Sequence, residues 1–184
     1  MRVIAGSARS LKLTAPKGLE VRPTTDRIKE TLFNILSNDI YDCRFLDLFC
    51  GSGAIGIEAL SRGARSAVFV DMSRTSLECT KANLEHTKLA DRAEIISSDA
   101  VSAVSRLASA GRRFDIIFMD PPYNAEHEKN VLERGRLCDI LEEDGIIIIE
   151  ASAETDFEYA QACGLEISRI KSYGSNKHVF LRKA

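Results

Sequence analysis

The sequence predicts a doubly wound α/β fold on a mostly parallel sheet, and three observations predict it. Short, almost wholly apolar runs at 45–49, 66–71, 93–97, 114–119 and 145–150 have the length and composition of strands buried on both faces. Helical patterns at 54–62, 73–87, 100–109, 126–141 and 153–162 alternate with them. The length, 184 residues, makes one domain over 1–184 with a sizeable core.

Each element has its own signal. Residues 1–14 carry two short β-like pieces around Gly6 to Ser10, which predicts a small N-terminal β-hairpin extension, basic over 1–20. Residues 24–37 form an amphipathic helix with Ile28, Leu32, Ile35 and Leu36 on one face. Ser73 ahead of Arg74-Thr75-Ser76 opens a helix, and Gly111 and Gly164 follow helix ends. Two last strand-like runs, 165–172 and 177–182, flank Tyr173-Gly174-Ser175-Asn176, a turn composition. They predict an antiparallel C-terminal hairpin closing a seven-stranded sheet. There are no internal repeats and no low-complexity linkers.

Composition excludes several classes. The apolar fraction of 45% is that of a folded globular chain. No apolar run reaches the roughly 18–20 residues of a membrane span. The start, MRVIAGSARS, lacks a secretory apolar region, so a cytoplasmic location is expected. Five cysteines without CxxC spacing predict reduced thiols and no zinc site. Net charge is −2, but it is unevenly spread. Up to Lys29 there are seven cations against two anions, and the last twenty residues hold five against one. Two basic ends on an acidic body fit a phosphate-binding footprint, or merely solvated termini.

Residues 45–56, FLDLFCGSGAIG, run from a strand through a glycine loop into a helix. Gly51-Ser52-Gly53-Ala54-Ile55-Gly56 lets backbone N–H groups approach a bound cofactor, and a side chain at Gly53 would intrude there. Asp71 ends the next strand, where an acidic side chain accepts bonds from ribose hydroxyls. A dinucleotide site shares these features. Asp47, four residues before Gly51, separates the cases. Its charge would repel a pyrophosphate but suits a cofactor with an amino acid end and a sulfonium centre, unless it only bonds loop amides. Asp99, after the third strand, is placed to bond an adenine amine, to cap the helix that follows, or both.

Asp120-Pro121-Pro122-Tyr123 follows the strand FDIIFM directly. The carboxyl ends of parallel strands are where such sheets bind ligands. The Asp120 carboxylate and the Pro121 carbonyl can accept both N–H bonds of an exocyclic amine, aiming its lone pair at a methyl donor. Tyr123 can stack on an extruded base. The pattern points to methylation of an amine on a nucleobase. A Pro-Pro pair that simply ends a strand is the plainer reading, and it leaves the flanking Asp and Tyr unexplained.

RPTTDRIKETLFNIL (22–36), FLDLFCGSGAIGIEALSRGA (45–64) and DPPY (120–123) resemble the RsmD family across nearly the whole chain. Members are bacterial methyltransferases that modify the N2 amine of guanine 966 in 16S ribosomal RNA. The resemblance implies a Rossmann-like class I S-adenosylmethionine-dependent methyltransferase acting on 16S rRNA, in the 30S subunit, without metal. It places Asp47, Gly51, Ser52, Gly53, Asp71, Met72, Asp99 and Ala100 at the cofactor, with Arg22, Thr24 and Thr25 near its amino acid end. It places Asp120, Pro121, Pro122 and Tyr123 at the guanine. Arg2, Arg9, Lys12, Tyr173 and Lys177 would meet RNA. Members often show GG-x-x-RGR near the start. This chain has Ala5-Gly6 and then Arg9-Ser10-Leu11, so the pattern's glycines and arginines are only partly present, and Lys12 substitutes in charge.

Other readings share parts of this logic. A DNA adenine or protein-glutamine methyltransferase holds an amine the same way. Against DNA, no segment is large enough for a target-recognition domain; against glutamine, the motif begins with Asp rather than Asn. An NAD-dependent oxidoreductase would need a placed acid, and His86, His127 and His178 are scattered and read as surface residues. A non-catalytic RNA-binding module would not need an intact glycine loop and DPPY.

Overall fold

The computed structural model describes residues 1–16, 26–122 and 127–184. Expectations for Arg22, Thr24, Thr25 and Tyr123 lie outside the described residues.

Seven strands form one sheet: β1 (Arg44–Leu48), β2 (Ser66–Asp71), β3 (Ala93–Ser97), β4 (Phe114–Met119), β5 (Leu141–Ser152), β6 (Leu165–Tyr173) and β7 (Asn176–Lys183). Their order is β3-β2-β1-β4-β5-β7-β6. β1 to β5 run parallel, and β7 is antiparallel to β5 and β6. This is the predicted fold, with the predicted hairpin inserted so that β7, not β6, meets β5. The order reverses between β1 and β4, and such a switch point opens a crevice at the carboxyl ends of the strands.

The helices are α1 (Asp26–Ile35), α2 (Ala54–Ser61), α3 (Arg74–Thr87), α4 (Ala100–Ser109), α5 (His127–Arg134) and α6 (Leu137–Ile140). One sheet face packs Phe45, Phe69, Ile116, Phe118, Ile148 and Phe180 against Leu32, Phe33 and Leu60. The other packs Ile117, Met119, Ile147 and Ile149 against Val104, Leu107, Val131 and Ile140. Alternate residues of β4 and β5 thus feed two cores, which is why these strands read as continuous apolar runs.

Several expectations are corrected. The 126–141 helix is two pieces: Arg136 takes φ 56°, and a side chain at Gly135 would come 2.4 Å from the Val131 carbonyl oxygen. β5 is longer than 145–150. The segment at 153–162 holds only a 3₁₀ turn, Glu158–Cys163. In α1 the buried residues are Lys29, Leu32 and Phe33, with Ile28 and Ile35 half-buried. The stripe is rotated because a charged residue lies inside it.

That charge has a partner. Glu58 of α2 is fully buried and lies 3.2 Å from the Lys29 ammonium. Its carboxylate also accepts the Ile4 N–H at 2.8 Å, the Ala5 N–H at 3.0 Å and the Arg62 Nε–H at 2.8 Å. Lys29 donates in turn to the Arg2 carbonyl at 2.6 Å. Burial lowers the pKa of Lys29, and the charge of Glu58 opposes that shift. A buried acid is tolerable when every lone pair has a donor.

The N-terminal hairpin therefore sits in the body of the domain. Its two arms meet at the Arg2–Lys12 bridge, while Val3, Ala8 and Leu13 join the main core. Ser7 N–H donates to the Ser61 carbonyl at 2.8 Å. Ser10, where the family pattern has glycine, takes φ 69°.

Candidate active site

The loop after β1 is bound from below and from the side. Gly53 opens α2 in the left-handed region, φ 75°. A Cβ there would come 2.8 Å from Thr80 Cγ2 of α3, so a side chain at Gly53 strains the loop itself before it meets any ligand. Gly56 lies against β2, where a Cβ would sit 2.3 Å from Phe69. Thr80 donates to the Gly51 carbonyl at 2.9 Å and Asn83 to the Ser52 carbonyl at 2.9 Å. Neither α3 residue was singled out by the sequence. The available signal was the polar residues that share the buried face of α3 with Leu77 and Leu84.

The backbone on the open side is left available. A Cβ at Gly51 would meet nothing within 4 Å. No acceptor is bonded to the Ser52 N–H among the described residues.

Asp71 ends β2 and bonds two amides, Gly51 N–H at 2.9 Å and Ser73 N–H at 2.8 Å. Each oxygen keeps a lone pair for a ligand hydroxyl. Asp47 is 2% exposed and accepts the Gly56 N–H at 2.9 Å. It holds the start of α2 from beneath the loop, with no open path to a ligand. Burial, helped by the charge of Asp71, pushes its carboxyl up to about 7.

At the next positions out, Met72 is 75% exposed. Asp99 caps α4, accepting the Ser102 N–H at 2.9 Å, a bond that holds its carboxyl below the ordinary value. Ala100 is buried behind it. The capping role is thus observed, and Asp99 stays half-buried at the strand edge.

Asp120 follows β4 directly and is half-buried; Pro121 is buried and Pro122 exposed. No donor is bonded to the Asp120 carboxylate among the described residues. Its proton affinity is raised well above the ordinary value, first by desolvation and then by the charges of Glu150 and Asp47. The carboxyl edge of β2, β1, β4 and β5 thus carries Asp71, Asp47, Asp120 and Glu150. Such an edge welcomes a sulfonium and an ammonium and opposes a pyrophosphate. The donor set, the unbonded Ser52 N–H and the open space at Gly51 fit S-adenosylmethionine.

His178, expected at the surface, is fully buried. Its Nε2 lies 3.2 Å from Glu150 and its Nδ1 lies 3.2 Å from the Tyr173 hydroxyl. Glu150, which closes the run GIIIIE, was not singled out by the sequence; a carboxylate ending an apolar run was the available signal. His86 and His127 are exposed as expected.

Of the residues assigned to RNA, Arg9 and Lys12 are exposed. Arg2 is 60% exposed and paired with Asp26 at 3.0 Å. Lys177 differs: its ammonium donates to the Ala153 carbonyl at 3.0 Å and the Thr155 carbonyl at 2.7 Å, over the Phe157 ring. Tyr173 is half-buried and turned toward His178.

Comparison with known proteins gives concordant results. The family described as conserved hypothetical protein 95 matches residues 1–182. Ribosomal RNA small subunit methyltransferase D of Escherichia coli (strain K12) is 40% identical over 158 residues, 84% of this chain and 76% of that protein. YlbH of Bacillus subtilis (strain 168) is 39% identical over 175 residues, 95% and 94% of the two chains. The solved structure of Escherichia coli yhhF superposes with a TM-score of 0.83 at 36% identity, covering 100% of this chain and 97% of that one.

Proposed function

The chain belongs to the family described as conserved hypothetical protein 95, the RsmD family, and from that premise we propose that it methylates the N2 amine of a guanine in 16S ribosomal RNA. The expected cofactor is S-adenosylmethionine, and the expected substrate particle is the small ribosomal subunit in the cytoplasm. No helix among the described residues is long and apolar enough to cross a membrane, and none of their His, Cys, Asp and Glu side chains form a group that could hold a metal.

One observation carries the reading. Asp120, a half-buried carboxylate with no donor among the described residues, stands beside a tied-down glycine loop at the switch point of the sheet. When bound, S-adenosylmethionine supplies an activated methyl group. Asp71 would hold its ribose, the Ser52 N–H beside the open space at Gly51 its amino acid end, and Asp47 would hold the start of the loop's helix from below.

The rest is done by the amine-holding motif. An exocyclic amine is a poor nucleophile because its lone pair is delocalised into the ring. Asp120 and the Pro121 carbonyl accept its two N–H bonds and favour a pyramidal nitrogen. The acceptor bond to Asp120 strengthens as positive charge develops on nitrogen, so it contributes more in the transition state than in the ground state. Tyr123 would stack on the base. Arg9 and Lys12 would meet phosphates on the face that carries the N-terminal hairpin.

The test is transfer of a labelled methyl group to 16S rRNA and to 30S particles lacking modifications, followed by nucleoside analysis. N2-methylguanine is expected. With DNA and protein offered as acceptors in parallel, label in N6-methyladenine of the DNA, or in protein glutamine, would replace this reading with one of its competitors.

A further inference from the structure

The buried Glu150–His178–Tyr173 chain behind Asp120 is unaccounted for by cofactor or base binding. β4 and β5 pair with Met119 opposite Ile149, so the next residues outward, Asp120 and Glu150, are neighbours at the sheet edge. They follow Phe118 and Ile148 on one face, the face that also carries Asp47. β5 and β7 pair with Glu150 opposite His178. A row therefore runs from the end of β4 across β5 to β7, through Asp120, Glu150 and His178, and Tyr173 of β6, two residues beyond the position opposite His178, joins it on the diagonal.

The row is rigid and almost dry. Glu150 is 5% exposed and His178 0%. Asn176 donates to the second Glu150 oxygen at 3.3 Å. The His178 ring is wedged by Phe118, Tyr173 and Phe180, with centroids at 6.1, 4.9 and 6.5 Å. An ionised Glu150 only accepts, so Nε2 carries the hydrogen it receives; Nδ1 of a neutral ring then accepts from the Tyr173 hydroxyl. Every bond in the chain has a donor and an acceptor in that arrangement. Donors on both oxygens offset the cost of burying this carboxylate and hold its charge next to Asp120.

Building on the function proposed above, we propose that Glu150, anchored by His178, Asn176 and Tyr173, is a positioning residue: it keeps a second negative charge beside Asp120, so that Asp120 takes the proton shed by the methylated nitrogen. The step is a proton transfer. The N–H bond of the alkylated nitrogen breaks, its electron pair stays on nitrogen, and the proton joins an Asp120 oxygen, neutralising that carboxylate. A neighbouring like charge raises the proton affinity of a carboxyl, which is the direction found at Asp120. Asp47 acts on Asp120 from β1 in the same sense. On the far side, Arg169 acts on Tyr173, and Lys171 pairs in register with His178 at the exposed edge.

The experiment is a carboxyl-carbon NMR titration of the full chain, with Asp120 assigned by its loss in Asp120→Asn. Glu150→Gln keeps the shape and removes the charge; it should lower the Asp120 midpoint by about one pH unit. His178→Leu, which removes one of the donors to Glu150, should lower it as well, and His178→Gln, which restores an N–H, should return it toward wild type. Thermal melts report which variants fold, and Glu150→Gln with His178→Gln suffices if His178→Leu does not. In single-turnover methyl transfer at saturating cofactor, the acid limb should move by the same amount in Glu150→Gln, with cofactor affinity unchanged. An Asp120 midpoint that stays put in Glu150→Gln overturns the proposal. A wild-type enzyme that methylates no ribosomal RNA while the midpoint still moves overturns only the substrate reading.

Discussion

Asp71 clamps Gly51: its Oδ2 accepts the glycine N–H at 2.9 Å while Oδ1 holds Ser73 at 2.8 Å. One carboxylate thus ties the loop after β1 to the loop after β2. Asp71→Ala should weaken S-adenosylmethionine binding by about 1–3 kcal/mol, the range of a lost charge-assisted bond. Asp71→Asn keeps acceptor oxygen and should lose less. Calorimetry measures both. An alanine variant with wild-type affinity would remove the cofactor from this edge.

Asp47 makes stability fall with rising pH. Its carboxyl titrates near 7 in the fold, above the ordinary carboxylate range of the unfolded chain. Between about pH 4 and 7 the native state therefore holds the extra proton, so unfolding free energy declines over that window and levels off above it. Asp47→Asn should abolish this decline. Its advantage over wild type should grow by roughly 2–4 kcal/mol from pH 4 to pH 8, since each pH unit between the unfolded and folded titrations contributes about 1.4 kcal/mol. Urea melts across pH test it, and a constant difference would refute the assignment.

Ser10 occupies the left-handed region at φ 69°, where an L side chain is strained. Ser10→Gly should raise stability by about 1 kcal/mol. A denaturant midpoint at or below wild type would show that the hydroxyl compensates for the strain.

Asp120→Ala should cost about 100–1000-fold in single-turnover rate, as loss of one preorganised group does, with cofactor affinity little changed. Asp120→Asn should fall between alanine and wild type. Near-normal turnover in the alanine variant would mean that the amine is held elsewhere.

Arg9→Glu and Lys12→Glu should each weaken RNA binding and flatten its salt dependence by about one unit of slope, leaving cofactor binding intact. Lys177→Glu should instead lower stability, because its ammonium is bonded to the Ala153 and Thr155 carbonyls. Filter binding over a salt series, beside melts, separates the two groups.

The sheet was legible because β1, β2, β4 and the centre of β5 are apolar on both faces, and that pattern needs no partner to be read. The glycine loop and the Asp-Pro-Pro-Tyr stretch were legible because their residues are local in sequence. What escaped is non-local. Lys29 looks like a solvated charge until Glu58, twenty-nine positions away, is packed against it. His178 looks like surface until β7 inserts beside β5 and brings it onto Glu150. The breaks around Arg136 and in the 153–162 segment were missed because tertiary packing, not helix propensity, decides them.

Glu58 gathers two hairpin amides, a lysine and an arginine around one buried carboxylate. The two amides belong to the backbone and survive any side-chain change, whereas Lys29 does not. Evolutionary drift at this spot is therefore concerted. A lineage that loses the acid at position 58 must also shed the cation at 29, and aligned relatives should show the two columns changing together while position 62, at the solvent rim, varies independently.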